Sequence, residues 1–236
     1  MRADLANRSV AHGPLLATAV SALTSLSERA SSPLGIGAAV EADWRRALGM
    51  EDLRLLDAAT SRQRAVEFAC GRHAGHRALA SMGIAAPVIG RGGRGEPLWP
   101  EGVVGAISHA AGIALAIVSR SPPLVGVGID VEDRAWSLSD RALHRAATRG
   151  ELELGARCGI SGIALLSLKE SAFKAMSPQP SGARFVDVTL EPGECPSSVL
   201  ATLPGVAERV YTGWTITDSL VISLAWRTID EQRLQR

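Results

Sequence analysis

The chain has 236 residues, enough for one large domain or two small ones. Hydrophobic residues make up 46%, which supports a buried core and excludes global disorder. The formal charge is +1, so the sequence carries no electrostatic case for nucleic acid or an anionic membrane. The odd, scattered set Cys70, Cys158 and Cys195 lacks CxxC spacing, and fits thiols in a reducing cytosol better than a disulfide framework or a zinc site.

The N-terminal stretch "MRADLANRSVAHGPLLATAVSAL" reads as an amphipathic or poorly ordered leader, with Asp4, Thr18 and Ser21 weakening a signal-peptide reading. Leu34 to Asp43 suits a strand, and "MEDLRLLDAA" a short helix. From Ser61 to Gly83, Val66, Ala69, Cys70 and His73 fall at helical spacing, with Leu79 and Met82 further along, Ser61 as N-cap and Gly83 as stop. "PVIGRGGRGEPLWPEG" reads as a Gly/Pro-rich loop, followed by the strands "VVGAISH" and "GIALAIVS". The longest apolar run, around "GIALAIVS", is cut by Arg120 and is too short to span a membrane. "SPPLVGVGIDVE" then opens a second half with a Pro pair and a strand. A polar, Arg-rich segment separates it from a second long helix, "GISGIALLSLKESAFKAM". Three strand-like runs follow, "RFVDVTL", "RVYTGWTIT" and "LVISLAW", and the tail from Thr228 is polar and reads as frayed. The pattern of a long helix with strands occurs twice, which predicts two similar α+β halves, 1–123 and 124–236, with a ligand cleft between them.

Candidate chemistry collects in a few places. Asp130 and Glu132 alternate at the end of a strand, so both carboxylates project from one face. Glu170 and Lys174 lie four apart on the second helix, hence on one helix face. Convergence of these acids would suit a hard cation such as Mg²⁺. A solvated strand end and an ordinary helix ion pair account equally well for each motif alone. The chain has only two lysines, Lys169 and Lys174, both in "SLKESAFKA". An ammonium on a flexible stem does chemistry that a fixed guanidinium fork does less well. Arg64 and Arg72 lie about 80° apart around the first long helix, and Arg91 and Arg94 stand in the glycine-rich loop. Such arginines suit phosphate, although arginine is also this chain's common surface cation. Ser108 and His109 end a strand, where His109 is as readily structural as ligand-binding. The loop "GRGGRGEP" lacks the GK[ST] ending of a P-loop and precedes no helix, "GVGIDVE" has no GxGxxG, and no GxSxG or HExxH motif is present.

Together, "RAVEFACGRHAGHRAL", "GRGGRGEPLWPEGVVGAISHAAG", "GVGIDVE" and "SLKESAFKA" resemble the 4′-phosphopantetheinyl transferases, in order, over about Arg62 to Ala175. The likeness is to the larger, monomeric kind that serves polyketide and nonribosomal peptide synthesis, in the branch typified by the enterobactin-synthetase component. The resemblance implies a pseudo-two-fold α+β fold, each half a small, mainly antiparallel sheet with a long helix. It implies a cytoplasmic monomer that moves the phosphopantetheine arm of coenzyme A to a serine of acyl or peptidyl carrier domains. Adenosine 3′,5′-bisphosphate would be released, with Mg²⁺, or Mn²⁺ in its place, as cofactor. On the matching positions, Asp130, Glu132 and Glu170 would hold the metal, and Glu170 would act as base, directly or through water. Lys174 would bind phosphate and balance charge, and Lys169 would help fix the coenzyme. Arg64, Arg72 and Arg91 would hold the 3′-phosphate and nucleotide end, with Ser108 and His109 as a further contacting pair. Leu166 stands where the family often carries an aromatic, and Ala106 where it often carries serine; neither removes a charge from this site. A different Mg²⁺-dependent pyrophosphate-cleaving enzyme, or a non-catalytic module that binds coenzyme A or carrier, would use the same acids and arginines.

Overall fold

The computed structural model describes residues 2–30, 32–41, 52, 54–56, 60–86, 88–193 and 198–229, with side chains from His12 onward. The short helix expected over Met50 to Ala59 falls mostly outside these residues, as does the tail beyond position 229.

Two antiparallel sheets are stacked between two long helices. The first is built from β1 (Gly35–Val40), β4 (Val103–Ala110) and β5 (Ile113–Arg120), in the order β1-β5-β4. The second contains β6 (Leu124–Asp133), β7 (Thr189–Pro192), β8 (Val199–Thr202), β9 (Val210–Ile216) and β10 (Leu220–Thr228), in the order β6-β10-β9-β8-β7. Helix α2 (Arg62–Ser81) covers the first sheet and α5 (Gly162–Ala175) the second. Period-two alternation sorts the strands. In β5, Ile113, Leu115 and Ile117 enter the core shared by both sheets, whereas Ala114, Ala116 and Val118 pack under α2. In β10, Ile222 and Leu224 join the shared core, while Val221 and Ala225 meet α5. The α+β class and the antiparallel pairing follow the sequence reading.

Several segments differ from it. The N-terminal stretch is a helix, α1 (Arg2–Ser27), whose Ala19, Leu23 and Leu26 are buried in the shared core against β1 and β10. The Gly/Pro-rich loop carries a small ribbon, β2 (Gly90–Arg91) with β3 (Pro97–Leu98), closed by Gly92 N–H donating to the Glu96 carbonyl at 2.8 Å. The polar segment after β6 holds two helices, α3 (Asp140–Ala146) and α4 (Arg149–Cys158). Its start signals were in the sequence: Ser139 caps α3, and Thr148 with Glu151 forms a capping box on α4. "RFVDVTL" divides into a 3₁₀ turn at Phe185–Asp187 and β7.

One contact positions the site. Val127, Ile129 and Val131 of β6 face the shared core, so Gly126, Gly128 and Asp130 face α5. A Cβ at Gly126 would run into the Ala175 carbonyl, and one at Gly128 into the Ser171 carbonyl. The two glycines thus let the strand lie directly on the helix backbone. Asp130, two residues further along the same face, is carried to Lys174 on α5.

Candidate active site

Asp130 is 2% exposed at the centre of the site. Its Oδ1 accepts hydrogen bonds from Ser108 Oγ at 2.9 Å and from Lys174 Nζ at 2.8 Å. Lys174 also donates to the Ile129 carbonyl at 3.0 Å, and Val131 N–H donates to Ser108 Oγ at 3.3 Å. Strand β4, strand β6 and helix α5 are therefore tied at one point. The second oxygen, Oδ2, is buried with no hydrogen-bond partner among the described residues. A buried carboxylate oxygen left without a donor is costly.

The other two acids lie within electrostatic reach. Burial pushes the Glu132 carboxyl up to about 7, and the negative charges of Asp130 and Glu170 add to this. Glu170 is likewise held above the ordinary carboxylate range, by burial first and then by Asp130, with Lys174 opposing. The three acids are not closed into a ready-made cage: among the described residues no three His, Cys, Asp or Glu side chains stand grouped to hold a metal ion. What the sequence reading took as converging ligands is a set of mutually repelling carboxylates, with Asp130 bound to Lys174. The donor set nonetheless fits a hard divalent cation. It is all oxygen, one oxygen is orphaned, and its electrostatic frustration is what a positive ion relieves.

The arginine side chains predicted for the site lie on α2 and in the β2–β3 ribbon. Arg72 is 4% exposed; its guanidinium lies 4.5 Å over the Phe68 ring and donates to the Gly90 carbonyl at 2.9 Å. Its Nε is buried with no hydrogen-bond partner among the described residues. Burial lowers its pKa to about 10, with Asp52 opposing and Arg91 adding, so it remains charged at neutral pH. Arg64, one turn inside α2, is exposed and pairs with Glu67 at 3.3 Å. Arg91 is exposed on β2 and donates to the Leu55 carbonyl at 3.4 Å. His109 sits 3.8 Å from Glu67. Burial lowers its pKa, with Glu67 opposing and Arg64 and Lys174 adding, so the imidazole lies within the fields of both the arginine side and the lysine side. Arg94 is turned toward the second half of the chain, donating to the Pro180 carbonyl at 3.5 Å. A cavity of about 540 Å³ opens beside Lys174, walled by Leu98, Trp99, Val104, Phe173 and Gln179.

Lys169 does not join this group. It is 2% exposed and donates to the Ala146 carbonyl at 2.7 Å, with Glu151 at 3.0 and 3.1 Å. Glu151 also accepts from Thr148 N–H at 2.7 Å and Leu190 N–H at 2.9 Å. The ammonium expected to help fix a coenzyme is instead a buried tie between α5, the α3–α4 arm and β7. Glu151 was missed by sequence reasoning, as were Glu67 and the buried Asp52. The one signal among them was the capping box at Thr148 to Glu151, which marks a helix start but gives no hint of the lysine.

Comparison with known proteins identifies the family. A family model described as the 4′-phosphopantetheinyl transferase N-terminal domain matches residues 51–119. Enterobactin synthase component D of Escherichia coli K12 is 34% identical over 173 residues, 69% of this chain and 77% of that protein. The 4′-phosphopantetheinyl transferase Svp of Streptomyces mobaraensis is 34% identical over 48% of each chain. PptT, the 4′-phosphopantetheinyl transferase of Mycobacterium tuberculosis, is 42% identical over 28% of this chain and 29% of its own. The matches span both the half that carries α2 and, for enterobactin synthase component D, more than two thirds of the chain. The chain belongs to the 4′-phosphopantetheinyl transferase family, alongside enterobactin synthase component D, and is an enzyme of that class.

Proposed function

We propose that the chain transfers the 4′-phosphopantetheine arm of coenzyme A to a serine hydroxyl of acyl or peptidyl carrier domains, with Mg²⁺ as cofactor. The observation that carries this reading is Asp130, buried beneath Lys174 with one orphaned oxygen and flanked by two carboxylates held above their ordinary range. Asp130, Glu132 and Glu170 would hold the cation, which when bound supplies positive charge to the pyrophosphate as its bond breaks. Glu170 takes the proton of the carrier serine, directly or through water; its position beside other negative charges makes it a better base than a solvated carboxylate. The serine oxygen bonds to the phosphorus that bears the pantetheine arm. The bond from that phosphorus to the bridging oxygen breaks, and adenosine 3′,5′-bisphosphate leaves. Lys174 stabilises the negative charge that develops on the phosphate oxygens.

Arg64, Arg72, Arg91, Ser108 and His109 would orient the coenzyme. The mainly apolar cavity beside Lys174 suits its uncharged arm. We assign coenzyme nucleotide contacts to 1–123 and the acids to 124–236. A pseudo-two-fold relation of the halves is supported by α2 lying on β1-β5-β4 as α5 lies on β6-β10-β9. Among the described residues no helix is long and apolar enough to cross a membrane.

The test is mass spectrometry of an apo carrier domain incubated with the protein, coenzyme A and Mg²⁺, which should gain one phosphopantetheine. Pyrophosphate cleavage without transfer would indicate a hydrolase. Bound coenzyme A without turnover would indicate a binding module.

A further inference from the structure

Asp52 is 2% exposed, a buried carboxylate that the proposed chemistry leaves without a role. Its Oδ2 lies 3.0 Å from His76 Nε2 on α2, and its Oδ1 accepts from Ile89 N–H at 3.4 Å at the start of the β2 ribbon. Two further bonds close a ring around it. Arg72, one turn before His76, donates to the carbonyl of Gly90, and Arg91 donates to the carbonyl of Leu55, three residues beyond Asp52. Helix α2, the residues Asp52 and Leu55, and the stretch Ile89 to Arg91 are thus pinned to one another, and the two arginines stand where the three meet. Asp52 also supplies negative charge beside the desolvated guanidinium of Arg72. A burial of this depth is sustained by its partners.

We infer that Asp52, through His76 and the Ile89 N–H, is a positioning residue that sets Arg72 and Arg91 for the terminal phosphate on the nucleotide end of the coenzyme. The inference rests on the reading of these arginines given above and adds a specificity device behind them. Asp52 touches no substrate; it fixes the distance between a helix and a ribbon that each carry one arginine. Its loss should therefore weaken recognition of the 3′-phosphate and leave the acidic centre, on other elements, unaltered.

The experiment is calorimetric binding of coenzyme A and of 3′-dephospho-coenzyme A to the full chain, with carrier modification measured in parallel. Asp52→Ala should raise the Kd for coenzyme A about tenfold, the scale of a lost hydrogen bond to a charged group. The Kd for the dephospho form should stay within about twofold of wild type. Asp52→Asn keeps an oxygen for the Ile89 N–H and a polar atom for His76, and should restore most of the affinity. Equal losses for both ligands, unchanged affinities, or Asn as poor as Ala would overturn the inference. So would tighter coenzyme binding, the result if Asp52 acts only as a like charge near the phosphate. If Asp52→Ala does not fold, His76→Leu gives the same comparison, with a loss confined to coenzyme A expected and a loss shared by both ligands refuting it. Wild-type protein that binds coenzyme A but modifies no carrier would defeat the transferase reading alone. Wild-type protein that does not distinguish the two ligands would defeat the positioning role.

Discussion

Replacing Lys169 by Met leaves Glu151 as a buried carboxylate without its cation. Glu151 keeps two backbone donors, Thr148 at 2.7 Å and Leu190 at 2.9 Å, but loses the ammonium at 3.0 Å. The Ala146 carbonyl loses its 2.7 Å donor as well. Breaking a buried pair on one side costs about 3–5 kcal/mol, and both partners here are 2% exposed. Lys169→Met should therefore lower unfolding stability by about that amount. Combined with Glu151→Gln it should recover most of the loss, because the remaining partner is then neutral. Urea denaturation of the four members of the cycle gives the coupling. Coenzyme A KM, measured in the double variant at a temperature where it is fully folded, should match wild type within about twofold. A double variant with restored stability and a KM raised tenfold or more would refute the reasoning, since Lys169 would then be touching coenzyme.

Asp130→Asn should cut carrier modification by on the order of 10²–10³-fold, the scale of one lost electrostatic group, while far-ultraviolet circular dichroism stays unchanged; full activity would sink the metal assignment. Arg72→Ala should raise the KM for coenzyme A by roughly tenfold or more with little change for the carrier, and Arg72→Lys should not rescue it, because an ammonium cannot reproduce the planar fork that the guanidinium holds over the Phe68 ring. A raised carrier KM alone would contradict that placement. Stability should also depend on Glu151. Burial pushes its carboxyl up, but the Thr148 and Leu190 amides and Lys169 together pull it below its usual value. The folded state thus holds this proton more weakly than the unfolded chain, so its contribution is complete above the ordinary glutamate range and is lost as pH falls through the depressed value. Denaturation from pH 7 to pH 3 should show the acid-induced loss shrink in Glu151→Gln; equal losses in both proteins would refute it.

Much of the fold was legible because its signals are local. The period-two pattern of β4, β5, β6 and β10 and the capped helix from Ser61 are properties of neighbouring residues. The α3–α4 arm was not seen, although Ser139 and Thr148 mark its starts, because its helices are short and mostly polar. The α1 helix was not seen because its apolar residues do not form a stripe strong enough to predict the core it enters. At the site, the shared face of Asp130 and Glu132 was readable from alternation alone. The pairing of Asp130 with Lys174 and Ser108 was not, since it depends on three elements meeting. Asp52 and Glu151 were invisible for the same reason: a buried carboxylate looks like any other until its partners, 24 and 18 residues away, are folded onto it.

The fates of the two lysines could have been separated by helix geometry. At about 100° per residue, Glu170 and Lys174 are roughly 40° apart around α5, whereas Lys169 and Lys174 are roughly 140° apart. One ligand on one side of the helix cannot readily meet both ammonium groups. With Lys174 fixed on the β6 face by the glycine contact, Lys169 must point toward whatever packs on the far side. There it meets the α3–α4 arm, at the end of α3 and the capping glutamate of α4. A motif that reads as two equivalent cations is therefore a division of labour. Lys174 stands at the acids, and Lys169 holds the helix that presents both Lys174 and Glu170 to them.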